Sequence, residues 1–296
     1  MGWRYRTSSL VNALLGPLGG RLVRRDCPAE WQYHDLRERF ADRVRELYSS
    51  YANAILPGLP ANQRREELMV ELVGTGIGEA MWIVDHLHRC LPLEGDVCEF
   101  GIAEGATSAL MANEILTTQK KLWLFDSFQG LSRPSEKDIL RDDIFGLGSM
   151  AAYEGRMSYS PDEVKGRLTA VGFPDSRTQI VAGFIEDTIV GPRLPRHVCF
   201  AYVDFDLYRP ILTALEFLDR VLVVRGCVIV DDYGFFSEGV QKAVDEFVQA
   251  RSACFQMVLP PPWCGSFAVL QKVAADRQCR GESVGGTRVR GLRDVG

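Results

Sequence analysis

From residue 95 onward, short apolar runs alternate with segments of helical periodicity, and this alternation restricts the fold more than any other feature of the chain. The runs at 97–100, 121–126, 178–182, 199–206 and 227–231 have the length of buried strands, and 267–271 is a candidate for a last one. Helices are predicted at 106–118, 210–221 and 238–250, and a further helix starts with Ser160-Pro-Asp-Glu, a capping-box pattern, and ends at Gly172. The pattern predicts an α/β fold whose mostly parallel sheet carries helices on both faces.

A glycine-containing turn follows the first predicted strand, in the sequence Glu99-Phe-Gly101-Ile-Ala-Glu-Gly105. Ligands of open parallel sheets bind beyond the carboxyl ends of the strands, and glycines there let the backbone approach a ligand closely. The G-x-x-x-G spacing is not the G-x-G-x-x-G fingerprint of pyrophosphate-containing dinucleotides. The turn therefore indicates a different ligand, with glycines that serve packing alone as the alternative.

Asp126 ends the second predicted strand, where a carboxylate can accept hydrogen bonds from ribose hydroxyls. Together with the glycine turn, it indicates a nucleoside-bearing cofactor that lacks a pyrophosphate. The alternative is that Asp126 caps the Ser127-Phe128 turn.

Acidic residues also end the next two apolar runs, in the sequences Asp204-Phe-Asp206 and Asp231-Asp232. If these strands are neighbours, they lie roughly 4.8 Å apart, so the carboxylates converge and repel one another unless a cation neutralises them. Oxygen ligands favour Mg²⁺, Ca²⁺ or Mn²⁺. Successive strand residues point to opposite faces, so Asp231 and Asp232 can share a metal only if the chain bends there. The alternative is that one acid caps a helix and another is solvated.

Three other parts of the chain are less informative. Residues 28–92 are predicted to be mainly helical, with Tyr33, Leu36, Phe40, Val44 and Leu47 as one apolar stripe and Ile77, Met81, Val84 and Leu87 as another. The long polar connection at 127–159 is typical of a functional loop or lid, or of a poorly ordered segment. The arginine-rich first 25 residues are predicted to be a surface arm or first helix, with a membrane-surface or partner contact as the alternative.

Five motifs, in this order and spacing, resemble the macrocin O-methyltransferase family over about residues 70–250. They are Gly95-Asp-Val-Cys-Glu-Phe-Gly101, Phe125-Asp-Ser-Phe-Gln-Gly130, Ser160-Pro-Asp-Glu-Val164, Asp204-Phe-Asp-Leu-Tyr208 and Val230-Asp-Asp-Tyr233. The segment Gly74-Thr75-Gly76-Ile77-Gly78 is similar to a cofactor-proximal segment of the family. Where the family often has Trp-Arg-Gly-Gly after Gly101, this chain has Ala103-Glu-Gly-Ala106.

The resemblance implies a class I, Rossmann-like methyltransferase that uses S-adenosylmethionine and a divalent metal, Mg²⁺ or another hard cation. It implies that Asp204, Asp231 and Asp232 bind the metal and that Asp204 or Asp206 takes the proton of the acceptor hydroxyl. The implied cofactor-binding residues are Thr75, Glu99, Gly101, Gly105, Asp126 and Ser127. The expected organisation is an N-terminal arm and helical extension at 1–92, the methyltransferase domain at 93–274 and a disordered tail at 275–296.

The sequence therefore predicts an O-methyltransferase whose acceptor is a small-molecule hydroxyl, on a sugar or glycosylated natural product. The alternatives are a catechol-type O-methyltransferase and a non-catalytic binding or scaffold protein of the same fold. The net charge of −5 argues against a nucleic-acid partner, and the apolar runs are too short for a transmembrane segment. Eight cysteines without metal spacing favour a reducing compartment, the cytoplasm, over a disulfide framework, and a homo-oligomer is left open.

Overall fold

The computed structural model describes residues 29–56 and 58–274, which form parts of two compact units. The first unit extends to Glu46 and the second begins at Leu47. The predictions for the N-terminal arm and for the disordered tail fall outside the described residues. The predicted division at residue 92 stays a prediction.

The first helix, α1 (Ala29–Ser50), buries only part of the predicted apolar stripe. Val44 is buried as expected, together with Ala41, but Leu36, Phe40 and Leu47 are more than half exposed, at 59%, 54% and 51%. The expectation that these three side chains belong to a core is therefore wrong. A helical period shows which side chains share a face, whereas the packing partner decides whether that face is buried.

The second unit contains a seven-stranded sheet in the order β3-β2-β1-β4-β5-β7-β6, in which only β7 pairs antiparallel to its neighbours. The strands are β1 (Asp96–Phe100), β2 (Leu122–Asp126), β3 (Thr178–Ala182), β4 (Val198–Val203), β5 (Leu222–Val230), β6 (Phe255–Val258) and β7 (Ala268–Lys272). The order reverses between β1 and β4, so their carboxyl ends flank the switch point at which open sheets of this kind bind ligands.

Seven further α-helices accompany the sheet in the described part of the chain. They are α2 (Gln63–Val70), α3 (Ile77–Cys90), α4 (Ala106–Glu114), α5 (Pro161–Ala170), α6 (Ile185–Thr188), α7 (Tyr208–Val221) and α8 (Glu238–Ala250). A π-helical turn covers Tyr51–Ile55, and 3₁₀ turns cover Met150–Tyr153, Asp175–Arg177 and Pro262–Cys264. The predicted capping box is confirmed: Ser160 accepts from the Asp162 amide, and Glu163 accepts from the Ser160 amide at 2.9 Å.

The helices cover both faces of the sheet, as the alternation along β1 shows. Glu99 accepts a hydrogen bond from Ser108 of α4, whereas the adjacent Phe100 packs against Phe217 of α7 with ring centroids 6.2 Å apart. Because neighbouring strand residues point to opposite faces, α4 and α7 lie on opposite sides. The predicted architecture, a mostly parallel sheet with helices on both faces, is confirmed.

His88 and the described cysteines do not form a metal site. His88 lies 2.7 Å from Glu114, which also pairs with the buried Arg65, so this histidine belongs to an ion-pair network and not to a metal site. Five described cysteines are free thiols, at positions 90, 98, 199, 227 and 264. Cys254 is disulfide-bonded, and a bond at this one described position is not a disulfide framework. Among the described residues, no helix is long and apolar enough to cross a membrane.

Candidate functional site

The turn after β1 brings its backbone against the residue that follows β4. Gly101 has a φ of +81°, and a β-carbon built on it would lie 1.8 Å from the carbonyl oxygen of Asp204. The amide of Asp204 in turn donates to the carbonyl of Phe100 at 2.7 Å. Gly105, with a φ of +83°, is the N-cap of α4. Glycine at position 101 is therefore what allows the two strand ends to meet.

Asp126, at the end of β2, holds the same turn from its other side. Its Oδ2 accepts from the Ile102 amide and its Oδ1 from the Phe128 amide, both at 2.7 Å. Burial raises the pKa of Asp126, while these amide hydrogen bonds oppose the shift. The alternative of a turn cap is thus realised. A carboxylate has about four acceptor positions, so two amides leave room for ribose hydroxyls.

The other predicted cofactor residues lie close to this turn. Glu99 is buried and accepts from the Ser108 hydroxyl, and burial raises its pKa well above the usual range. Thr75 lies 3.1 Å, oxygen to oxygen, from Thr107 in the first turn of α4. Ser127 donates to the carbonyl of Gly130 at 2.8 Å and so closes its own turn.

Three carboxylates converge beyond the ends of β4 and β5. One carboxylate oxygen each from Asp204, Asp206 and Asp232 lies within 4.8 Å of the others. The register pairs Val203 with Val230, so the residues after the two strands start side by side. Asp206 and Asp232 have φ values of +61° and +57°, so the chain leaves regular strand geometry there. The chain therefore bends at Asp232, as sharing of a metal by Asp231 and Asp232 requires, but Asp231 is not one of the three converging residues.

The three carboxyl groups of this cluster all have raised pKa values. Desolvation and the negative charges of neighbouring aspartates raise the pKa values of Asp204 and Asp232 well above their usual range. Desolvation and the charge of Asp204 raise the pKa of Asp206 in the same way, although its hydrogen bond with Asp232 opposes the shift. In the described part of the chain, no ion pair includes any of the three.

Asp231 is beside this cluster but has partners of its own. Its Oδ2 accepts from the Tyr202 hydroxyl at 2.8 Å, and its Oδ1 accepts from the Asp232 amide at 2.8 Å. The Tyr202 hydroxyl also lies 3.3 Å from the buried Glu79, whose pKa is raised by desolvation and by the charge of Asp231. Sequence reasoning missed both Glu79 and Tyr202. The available signal was weak: a carboxylate in the apolar first half of helix α3, and a tyrosine inside an apolar strand.

The 127–159 segment packs as a wall against the loops that follow β4 and β5. The buried carboxylate of Asp138 accepts from the Tyr208 amide at 2.7 Å and from the Ser237 hydroxyl at 3.3 Å. Met150 and Tyr153 form a small apolar cluster with Leu207 and Phe236. The segment is therefore attached to both loops that carry the converging acids, and its role as a functional loop or lid stays a prediction.

Comparisons with known proteins also indicate a methyltransferase. The family model described as macrocin-O-methyltransferase (TylF) matches residues 84–258, more than half of the chain. The structure is similar to that of the O-methyltransferase NovP, with a TM-score of 0.58 and 20% identity over 79% of this chain and 100% of that one. It is also similar to CalS11, a calicheamicin methyltransferase, with a TM-score of 0.50 and 19% identity over 84% and 94%. No curated protein sequence matches this chain.

The glycine turn after β1 and the acids after β4 and β5 lie within the matched range, and of the seven strands only β7 lies beyond it. Both structural neighbours are methyltransferases by name, and at these identities they show that the fold is shared. The family model covers the segments that carry the chemistry. The chain is a methyltransferase and belongs to the macrocin O-methyltransferase family.

Proposed function

We propose that the protein transfers a methyl group from S-adenosylmethionine to a hydroxyl of a sugar or glycosylated natural product, with Mg²⁺ or another hard divalent cation bound beside it. The observation that carries the proposal is the convergence of Asp204, Asp206 and Asp232 next to the glycine turn after β1. Three carboxylates this close repel one another unless a cation or bound protons neutralise them.

The donor set fits a hard cation. All three candidate ligands are carboxylates, which suit Mg²⁺, Mn²⁺ or Ca²⁺ better than zinc. Asp231 stays in the proposed ligand set, because its charge is among the causes that raise the pKa of Asp204. Its present hydrogen bonds to Tyr202 and to the Asp232 amide make it the ligand that must reorient most.

The residues around the glycine turn fit the methyl donor. Asp126 has acceptor capacity left for ribose hydroxyls. Gly101 and Gly105 belong to the turn that Asp126 holds, Glu99 and Ser127 flank the turn and Asp126 in the chain, and Thr75 contacts the first turn of the helix that follows. One oxygen of Glu104 in this turn is buried without a hydrogen-bond partner among the described residues, so the turn retains acceptor capacity for a ligand.

When bound, the donor supplies an electrophilic methyl group, and the cation lowers the pKa of the acceptor hydroxyl. The chain's own residues then orient the reactants and accept the proton. Asp204 and Asp206 are the candidate bases, because both follow β4 and desolvation raises both pKa values. A raised pKa makes a carboxylate a stronger base at neutral pH. Orientation supplies most of the acceleration, for which the general range is about 7–11 kcal/mol.

The acceptor would lie against the 127–159 wall, which is attached to both acid-bearing loops. A sugar with neighbouring hydroxyls and a catechol would both present two oxygens to a cation. Mass spectrometry after incubation of a panel of glycosides and catechols with donor and Mg²⁺ separates these classes. Methylation confined to catechols would favour the alternative function.

The metal part of the proposal is tested by methyl transfer across a Mg²⁺ titration, with EDTA as the blank. Asp232→Asn should raise the Mg²⁺ concentration needed for half-maximal turnover at least tenfold, in line with loss of a charged ligand. Asp162→Asn, on the exposed start of α5, is the control that should behave as wild type. Full turnover in EDTA would leave a metal-free acid–base methyltransferase.

A further inference from the structure

The turn after β1 carries a carboxylate that no step described so far uses. Glu104 lies between Gly101 and Gly105, and these glycines and Ala103 all have positive φ values, at +81°, +83° and +48°. A turn held by three left-handed residues fixes the position of the side chain between them. Glu104 is therefore placed by the backbone at the carboxyl end of β1.

One carboxylate oxygen of Glu104, Oε1, is buried and makes no hydrogen bond to any described residue. A buried acceptor without a donor is unfavourable, and the penalty is larger for a charged group. Such an atom in a ligand-binding turn indicates a donor that arrives with the ligand.

The surroundings of Glu104 select a cationic donor. Its charge contributes to the raised pKa values of Glu99 and Tyr159, and Asp126 acts on Glu99 in the same direction. None of these side chains forms an ion pair with a lysine or arginine within residues 29–56 and 58–274. An anionic part of a ligand would be repelled here, and a cationic part would be attracted.

We propose that Glu104 binds the α-ammonium group of the methionine part of S-adenosylmethionine, an inference that rests on the proposed function. The ammonium group has three N–H donors and a positive charge, so it satisfies both the unpaired oxygen and the acidic surroundings. The sulfonium group of S-adenosylmethionine is positively charged but has no N–H or O–H with which to donate a hydrogen bond. Its carboxylate group is negatively charged and would be repelled by Glu104. The family often has arginine at this point of the turn, so the assignment is specific to this chain.

The test is calorimetric binding without acceptor, comparing wild type with Glu104→Gln. Four ligands are used: S-adenosylmethionine, S-adenosylhomocysteine, decarboxylated S-adenosylmethionine and 5′-methylthioadenosine. The first three contain the amine, and the last lacks it. The variant should weaken binding of the first three by about 10- to 100-fold, the range for a hydrogen bond to a charged group, and change that of 5′-methylthioadenosine less than twofold. Glu186→Gln, on the exposed side of α6, should bind all four as wild type.

The ligand-free melting temperature provides a second readout. Glu104→Gln should melt at or above wild type, because it removes the charge from a half-buried carboxyl group with one unpaired buried oxygen. Equal weakening for all four ligands, or a clear loss of stability, would show a structural role and overturn the assignment. Unchanged affinity for the three amines would also overturn it and leave the proposed function intact. Failure of wild type to bind any donor analogue would instead overturn the proposed function.

Discussion

Replacement of Gly101 by alanine should damage the protein far more than the same change at Gly105. Both glycines are left-handed, so each alanine costs about 1–2 kcal/mol in backbone strain. At Gly105 the added β-carbon meets Val164 of α5 at 3.2 Å, a gap that a shift of a few tenths of an ångström relieves.

At Gly101 the β-carbon lies 1.8 Å from the Asp204 carbonyl oxygen, whereas real β-carbons do not come closer than 3.0 Å. Relief therefore needs a movement of more than an ångström between two paired central strands. Overpacking of a core costs about 1–3 kcal/mol, and a clash with backbone lies at the upper end. We expect a total loss of about 4–5 kcal/mol for Gly101→Ala, against about 1–2 kcal/mol for Gly105→Ala.

Urea unfolding followed by circular dichroism measures both variants under the same conditions, with Mg²⁺ and EDTA series in parallel. Gly101→Ala should also weaken Mg²⁺ binding, because any relief moves Asp204. If the free energy of unfolding fell by the same amount in both variants, within about 0.5 kcal/mol, the contact between Gly101 and the Asp204 carbonyl would not explain the loss, and the prediction would be wrong.

Three further outcomes are expected. Asp126→Ala should weaken S-adenosylmethionine binding by about 10- to 100-fold in calorimetry, since ribose hydroxyls lose a charged acceptor, and an unchanged Kd would contradict its role. In EDTA the pKa values of Asp204, Asp206 and Asp232 are raised in the folded state, whereas in the unfolded chain these groups titrate at about pH 4. The free energy of unfolding should therefore fall as pH rises above about 4, because the folded state then binds more protons than the unfolded chain. Mg²⁺ should remove this decline, and a melting temperature that climbs with pH in EDTA would argue against it. The 127–159 segment should resist trypsin in the ligand-free protein because of its apolar cluster, so early cleavage after Lys137 would show that it is not fixed.

The strands and helices that the sequence predicted well are those with strong local signals. Strand β3 (Thr178–Ala182) and helix α8 (Glu238–Ala250) have the predicted bounds. Helix α4 ends at Glu114, earlier than the predicted 118, and β4 ends at Val203 and not at 206. The four-residue elements α6 and β6 were not predicted, because such short segments contain too few residues for a period to be recognised.

The candidate site was predictable in its residue types but not in its geometry. Acids at strand ends indicated a cation site, whereas the side chains that meet depend on the left-handed backbone of Asp206 and Asp232. The hydrogen bonds of Asp231 to Tyr202, and the nearby Glu79, join β5, β4 and α3. Such long-range contacts leave no periodic pattern in the chain.

The small apolar cluster of the 127–159 segment sets a condition for transplanting acceptor preference between family members. Leu207 directly follows Asp206, and Phe236 directly precedes Ser237, which donates to Asp138. A graft of residues 127–159 alone would therefore place foreign side chains against two native anchors and shift the acids attached to them. A workable exchange has to include positions 207 and 236 as part of the transplanted unit.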